Sequence, residues 1–173
     1  MPQLCHSRHM AGVETERAAP GAPVATLLPG RGYGPQAPLL YYTRMLLQGR
    51  GWTVRTVHWE RVPGLDPADP VAVAAVAEEL LDGADPARDL VVGKSLGSLA
   101  LPAAAERGLP GIWLTPLLGV EAVRRAAARA PGATLLIGGA PPTRTGTAPR
   151  PPPPVPRCTR CRVPTTPSSA PAT

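Results

Sequence analysis

The sequence predicts an α/β fold: three layers, with a parallel sheet of about five strands in the order 2-1-3-4-5 and helices on both faces. Three observations predict it. Short, continuous apolar runs recur along residues 24–137, segments with helical spacing separate them, and glycine or proline marks nearly every junction. Strands alternating with helices imply right-handed βαβ units and therefore a parallel sheet. Continuous apolar character, rather than alternation, fits strands buried on both faces.

Residues 24–28 (Val-Ala-Thr-Leu-Leu) read as the first strand and run into the loop Pro29-Gly30-Arg31-Gly32-Tyr33-Gly34. Residues 36–48 carry Leu39, Leu40, Met45, Leu46 and Leu47 at helical spacing, and the glycines at 49 and 51 close that helix. The second strand, 53–59, ends at Glu60. A loop rich in proline and aspartate leads to a helix over 71–81, stopped by Asp82-Gly83. Residues 89–92 form the third strand. The turn Gly93-Lys94-Ser95-Leu96-Gly97 follows, and then a helix to about Arg107 that Pro102 should kink or shorten. A fourth strand at 111–115, a helix at 118–129 and a fifth strand at 133–137 complete the pattern.

Composition divides the 173 residues into three parts. Residues 1–22 are polar and mixed in charge and read as a disordered leader, with His6 and His9 solvated. Residues 23–139 form the folded domain. Residues 140–173 hold eleven of the 25 prolines and five arginines without one acid, and read as disordered. The net charge of +6 is thus a property of that stretch, since thirteen basic residues face twelve acids through Gly139. No aromatic residue interleaves with its arginines, so no nucleic-acid partner is expected. Cys158-Thr159-Arg160-Cys161 is a lone CxxC lacking two further ligands, so no metal is expected there. No apolar run approaches the roughly 20 residues of a membrane span, and residues 1–20 hold no signal-peptide core. A cytoplasmic location without membrane contact is the expectation.

Ligands of open α/β sheets bind at the C-terminal strand ends where the strand order reverses. Here that point lies between the first and third strands, which sets the loop 30–34 beside Ser95. A phosphate-binding loop would need glycine at position 88, where Arg88 stands. A dinucleotide site finds Gly30, Gly32 and Glu60 in place but Pro35 at the last glycine position. Strand, Gly-x-Ser-x-Gly turn and helix in that order is instead the context of a nucleophile elbow. There the serine is strained, glycine flanks it because side chains would collide with the neighbouring strand and helix, and helix N–H groups lie beneath it. His58 reads as a partly buried strand histidine, and Glu60 as either a crevice-rim or a solvated acid. Lys94 and Arg31 flank the turn, facing either a bound anion or water.

Leu28-Pro29-Gly30-Arg31-Gly32-Tyr33, followed one βα unit later by Gly93-Lys94-Ser95-Leu96-Gly97, resembles the small α/β-hydrolase family of serine hydrolases, of dienelactone-hydrolase type. The resemblance covers about residues 23–139. It implies Ser95 as the nucleophile and an oxyanion hole from the N–H groups of Leu96 and Arg31. Gly30, Gly32, Gly93 and Gly97 would shape the loops, the substrate would be a small ester or related acyl compound, and no cofactor would be needed. It also implies an acid after the strand at 133–137 and a histidine one strand later. Neither is present: Glu106 and Glu121 are the only acids after Ser95, and no histidine follows it. The last strand and closing helix are missing as well. A serine without a general base is a poor nucleophile, so turnover is not expected. Residues 140–173 are either a genuine low-complexity segment or an out-of-frame continuation, and the GC-rich residue usage favours the second. The alternative to an enzyme is a pseudoenzyme or small-molecule binding module, for an acyl or nucleotide ligand, of flavodoxin- or Rossmann-like topology.

Overall fold

A computed structural model of the chain describes residues 10–138. Expectations about His6, His9, the Cys158/Cys161 pair and the Pro/Arg-rich stretch lie outside the described residues.

The middle of the sheet is built as the sequence predicts. Strand β2 (Val24–Leu28) lies between β3 (Thr53–Val57) and β4 (Leu90–Lys94), followed by β5 (Gly111–Leu114) and β6 (Thr134–Ile137). These five run parallel, in the order expected for them. Adjacent residues along a strand enter opposite faces. Leu28, Val91 and Trp113 therefore join one core, while Leu27, Val92 and Leu114 join the other.

Helix α1 (Pro38–Gly49) packs over β3 and β2 on the second face, with Leu40 fully buried. Helices α2 (Pro70–Leu80), α3 (Leu101–Glu106) and α4 (Glu121–Arg129) contribute Val73, Ala77, Leu101, Val123 and Ala126 to the first. Among the described residues, α1 is the single helix on its side. Local chemistry sets several boundaries. Asp69 caps α2 by accepting the Val71 and Ala72 N–H groups at 2.8 and 3.3 Å, with Pro70 opening the first turn. Gly51, at φ +78°, reverses the chain after α1, and Trp52 donates its N–H back to the Leu47 carbonyl.

The structure corrects the sequence reading in two places. Within the stretch expected to be a disordered leader, β1 (Val13–Glu16) forms a sixth strand, antiparallel to β3 at the edge of the sheet. Four residues are too few for a periodic signal, and contacts from distant parts of the chain order them. Glu16 accepts from Arg44 at 2.9 Å and from Gln48 on α1, Glu14 accepts from Arg61 at 2.7 Å, and His58 N–H donates to the Gly12 carbonyl at 2.8 Å. The second correction concerns the helix after Ser95. Residues Ser95–Ala100 wind as a 3-10 helix, and α-helical geometry begins only at Leu101, where Pro102 occupies the first turn. Proline is tolerated there because first-turn N–H groups have no intrahelical partner. The full helix dipole expected under Ser95 is accordingly that of a short 3-10 segment.

Candidate active site

Ser95 follows β4 directly and has a φ of +48°. An L-residue in that left-handed region costs on the order of 1–3 kcal/mol, so the surroundings must impose it. They do so through close approach. A methyl group on Gly93 would lie 2.5 Å from the Trp113 ring of β5 and 2.9 Å from the Gly97 carbonyl oxygen. On Gly97 it would lie 2.1 Å from the Leu28 carbonyl oxygen of β2. The turn is thus pressed between the two strands flanking β4.

Ser98, the residue directly after Gly97, is one the sequence reading did not single out. Its buried hydroxyl donates to the Ser95 carbonyl at 2.6 Å and accepts the Leu117 N–H at 2.9 Å. It therefore ties the turn to the loop after β5. A serine in a run of Leu, Gly and Ala gives little warning of that role.

The glycine loop meets the turn from the other side. Gly30 and Tyr33 exchange backbone hydrogen bonds at 3.2 and 3.3 Å, which makes Arg31-Gly32 the tip of a tight turn. Gly32 takes a φ of +65°, a conformation glycine adopts without steric cost. A methyl group on Gly30 would stand 3.3 Å from both the Ser95 Cβ and the Lys94 carbonyl oxygen. The buried Trp59 donates its indole N–H to the Pro29 carbonyl at 2.9 Å and anchors the start of the loop. Ser95, Gly30, Gly93 and Gly97 are therefore brought together, with Leu96 buried behind Ser95 and Arg31 at the exposed loop tip.

The charged neighbours divide. Lys94 does not extend freely into water: its Nζ donates to Thr115 Oγ1 at 2.9 Å and stands 4.9 Å from the centre of the Tyr33 ring. Arg31 donates to the Pro67 carbonyl at 2.8 Å. His58, only 11% exposed, turns to the edge of the sheet, where Nε2 lies 3.2 Å from Glu14 Oε2. That is an ion-pair distance without the alignment of a hydrogen bond. The strand order puts β3 two positions from β4, roughly 10 Å at the usual strand spacing. Glu60 and Glu106 are exposed, and Glu121 binds back along α4 to Arg124 and Arg125. Among the described residues, no three His, Cys, Asp or Glu side chains form a metal-binding group. No helix among them is long and apolar enough to cross a membrane.

No protein-family model matches this chain, and no curated protein matches it. Solved structures are similar to it. One is the alpha/beta hydrolase domain-containing protein 10 from mouse, at 18% identity and a TM-score of 0.46, covering 60% of this chain and 43% of that one. A phospholipase/carboxylesterase from Dyadobacter fermentans shares 16% identity with a TM-score of 0.47, covering 79% of this chain and 91% of the other. The third is MGS-M1, an alpha/beta hydrolase enzyme from a Medee basin deep-sea metagenome library. It has 14% identity and a TM-score of 0.35, with coverage of 74% and 77%. The match spans less than half the length of the mouse protein.

Proposed function

We propose that the C-terminal edge of this sheet is an acyl-transfer site of the serine-hydrolase kind, acting on an ester or related acyl bond. The observation that carries the reading is the left-handed backbone of Ser95, imposed by Gly93, Gly97 and Gly30 against three neighbouring segments. Strain of that kind, at a strand end beside a glycine loop, serves a nucleophile that must stand clear of its own backbone. In this reading Ser95 Oγ attacks the acyl carbonyl, the N–H groups of Leu96 and Arg31 hold the oxyanion, and the leaving alcohol takes the serine proton. The product is acyl-Ser95.

Among the described residues His58 is the one histidine, and it faces Glu14. Ser95 therefore has no general base from that source, so acylation and deacylation should both be slow. The same observation favours a second reading, in which the crevice binds an acyl compound without cleaving it.

A fluorophosphonate probe separates the two. The expected result is a single covalent adduct on the folded chain, mapped to Ser95 by peptide mass spectrometry and abolished by Ser95→Ala. Folded protein that stays unlabelled at high probe concentration would overturn the nucleophile and leave the binding module.

A further inference from the structure

We infer that Lys94 and Thr115 form a subsite for a carboxylate carried by the substrate, beside Ser95; the inference rests on the reading of Ser95 as a nucleophile. Its starting point is what holds Lys94. A lysine side chain has more rotamer freedom to lose than most others, so it is seldom fixed without a reason. Here Nζ is fixed twice, by the Thr115 hydroxyl at 2.9 Å and by the face of Tyr33 at 4.9 Å from the ring centre. The ring is itself anchored, because the Leu39 N–H at the start of α1 donates to Tyr33 Oη at 3.0 Å.

Both partners are neutral, so they orient the ammonium without cancelling its charge. Arg44, Arg61, Arg107, Arg124 and Arg125 are held by carboxylates, whereas Arg50, Arg55 and Arg88 donate to backbone carbonyls. Lys94, held by a neutral oxygen, belongs with the second group, and it is the member that adjoins Ser95 in the chain. Among the described residues no carboxylate pairs with Lys94. Arg31 is the weaker candidate, since its guanidinium is bound to a loop carbonyl whose neighbours in the chain include Asp66 and Asp69.

Thr115 adds an independent observation. Its φ is +46°, and Ser95 and Thr115 are the two non-glycine residues with positive φ among the described residues. A β-branched residue is a rare occupant of that region. The two strained residues follow adjacent parallel strands, β4 and β5, at the same edge of the sheet. Backbone strain of this kind collects at sites that hold a ligand or a reacting group. One ammonium hydrogen is committed to Thr115, and the remaining two can meet a carboxylate in a charge-assisted contact. A half-ester of a short dicarboxylic acid would then place its anionic end on Lys94 and its ester carbonyl over Ser95.

The test compares monomethyl glutarate, a monoanion, with dimethyl glutarate, its neutral counterpart, by titration calorimetry or chemical-shift mapping. The full chain should bind the monoanion about tenfold more tightly, one charge-assisted contact in size. The preference should shrink as salt rises. Lys94→Met should bring the monoanion down to the level of the diester, and Lys94→Arg should retain part of the preference. Equal binding of the two compounds, or a preference that survives Lys94→Met, would overturn the inference. Should Lys94→Met fail to fold, the salt titration of the unmodified chain decides, and a salt-independent preference counts against it. Fluorophosphonate labelling reports on the nucleophile separately. Labelling without anion preference removes the subsite and keeps the nucleophile, while Lys94-dependent preference without labelling does the reverse.

Discussion

The two edges of this sheet are finished in opposite ways. At one edge β1 presents Glu14 and Glu16 outward, and each is held by cations from elsewhere in the chain. At the other, β6 leaves Leu135, Leu136 and Ile137 at 51%, 42% and 48% exposure. The register shows where these three point. Leu135 and Ile137 pair with Ile112 and Leu114, on the face that α1 covers only over β3 and β2, whereas Leu136 pairs with Trp113 and faces the opposite side. Parallel pairing satisfies the backbone of β6 completely along one side, yet its side chains stay wet. Hydrogen bonds make a strand, and the helical layers make it part of a core. A charged, short edge is also a device against unwanted pairing, while an apolar edge invites it.

Between the edges lies a third condition, close packing around Ser95, and the largest expected effect comes from disturbing it. Gly97→Ala drives a methyl group to 2.1 Å from the Leu28 carbonyl oxygen, which no side-chain movement can relieve. The expected loss of stability exceeds about 3 kcal/mol, a large part of what a domain of this size possesses. Gly34→Ala, where a methyl group meets nothing within 4 Å, is the control and should stay within about 0.5 kcal/mol. Urea unfolding of the two variants measures the contrast. Equal midpoints would mean that the turn is not locked between β2 and β5.

The same contrast explains which features were legible in the sequence. Strands β2, β4 and β5 announce themselves because burial on both faces demands nearly unbroken apolar runs, and β6 carries such a run without the same cover. The Ser95 turn does so because close approach at Gly93 and Gly97 admits only glycine, and the loop before it because Gly32 takes a positive φ. Both are local consequences of tertiary crowding, so they leave a mark on residue type. β1 leaves none: Val-Glu-Thr-Glu becomes a strand only because Arg44, Gln48, His58 and Arg61 are waiting for it. The 3-10 winding after Ser95 was half legible, since Pro102 marks where α-helical geometry can begin without saying what precedes it. The fixing of Lys94 by Tyr33 and Thr115 joins three loops, and a chain read in order offers no sign of it.

A smaller effect tests the charged edge. Burial acts to raise the Glu14 carboxyl pKa, but the facing His58 and then Arg61 outweigh it and hold it below its ordinary value. A carboxylate lowered in the folded state stabilises above its unfolded pKa, about 4.3, and loses that contribution as the pH falls through the folded value. Because the side chain is 53% exposed, solvent screening limits the contribution to about 0.5 kcal/mol. Glu14→Gln should therefore unfold slightly earlier in urea at pH 7, with a gap that closes on acidification below about pH 4. A gap that persists at pH 3 would show that the two residues differ in packing rather than in charge, and β1 would not be an ion-held edge.

The smallest effect on stability belongs to β6, and it is the most informative about the edges. Leu135→Lys puts an ammonium where a half-exposed leucine now stands, beside Ile137 and on the strand that ends the sheet among the described residues. Little burial is lost, so the unfolding free energy should change by less than about 0.5 kcal/mol. Self-association should change more, because the lysine charges one face of an apolar edge and opposes strand addition. Sedimentation at rising concentration should show larger species for the unmodified chain and fewer of them for the variant. A loss of stability near that of a core leucine, about 2–5 kcal/mol, would mean that Leu135 is covered in solution. The two edges would then differ in what covers them and no longer in whether they are covered.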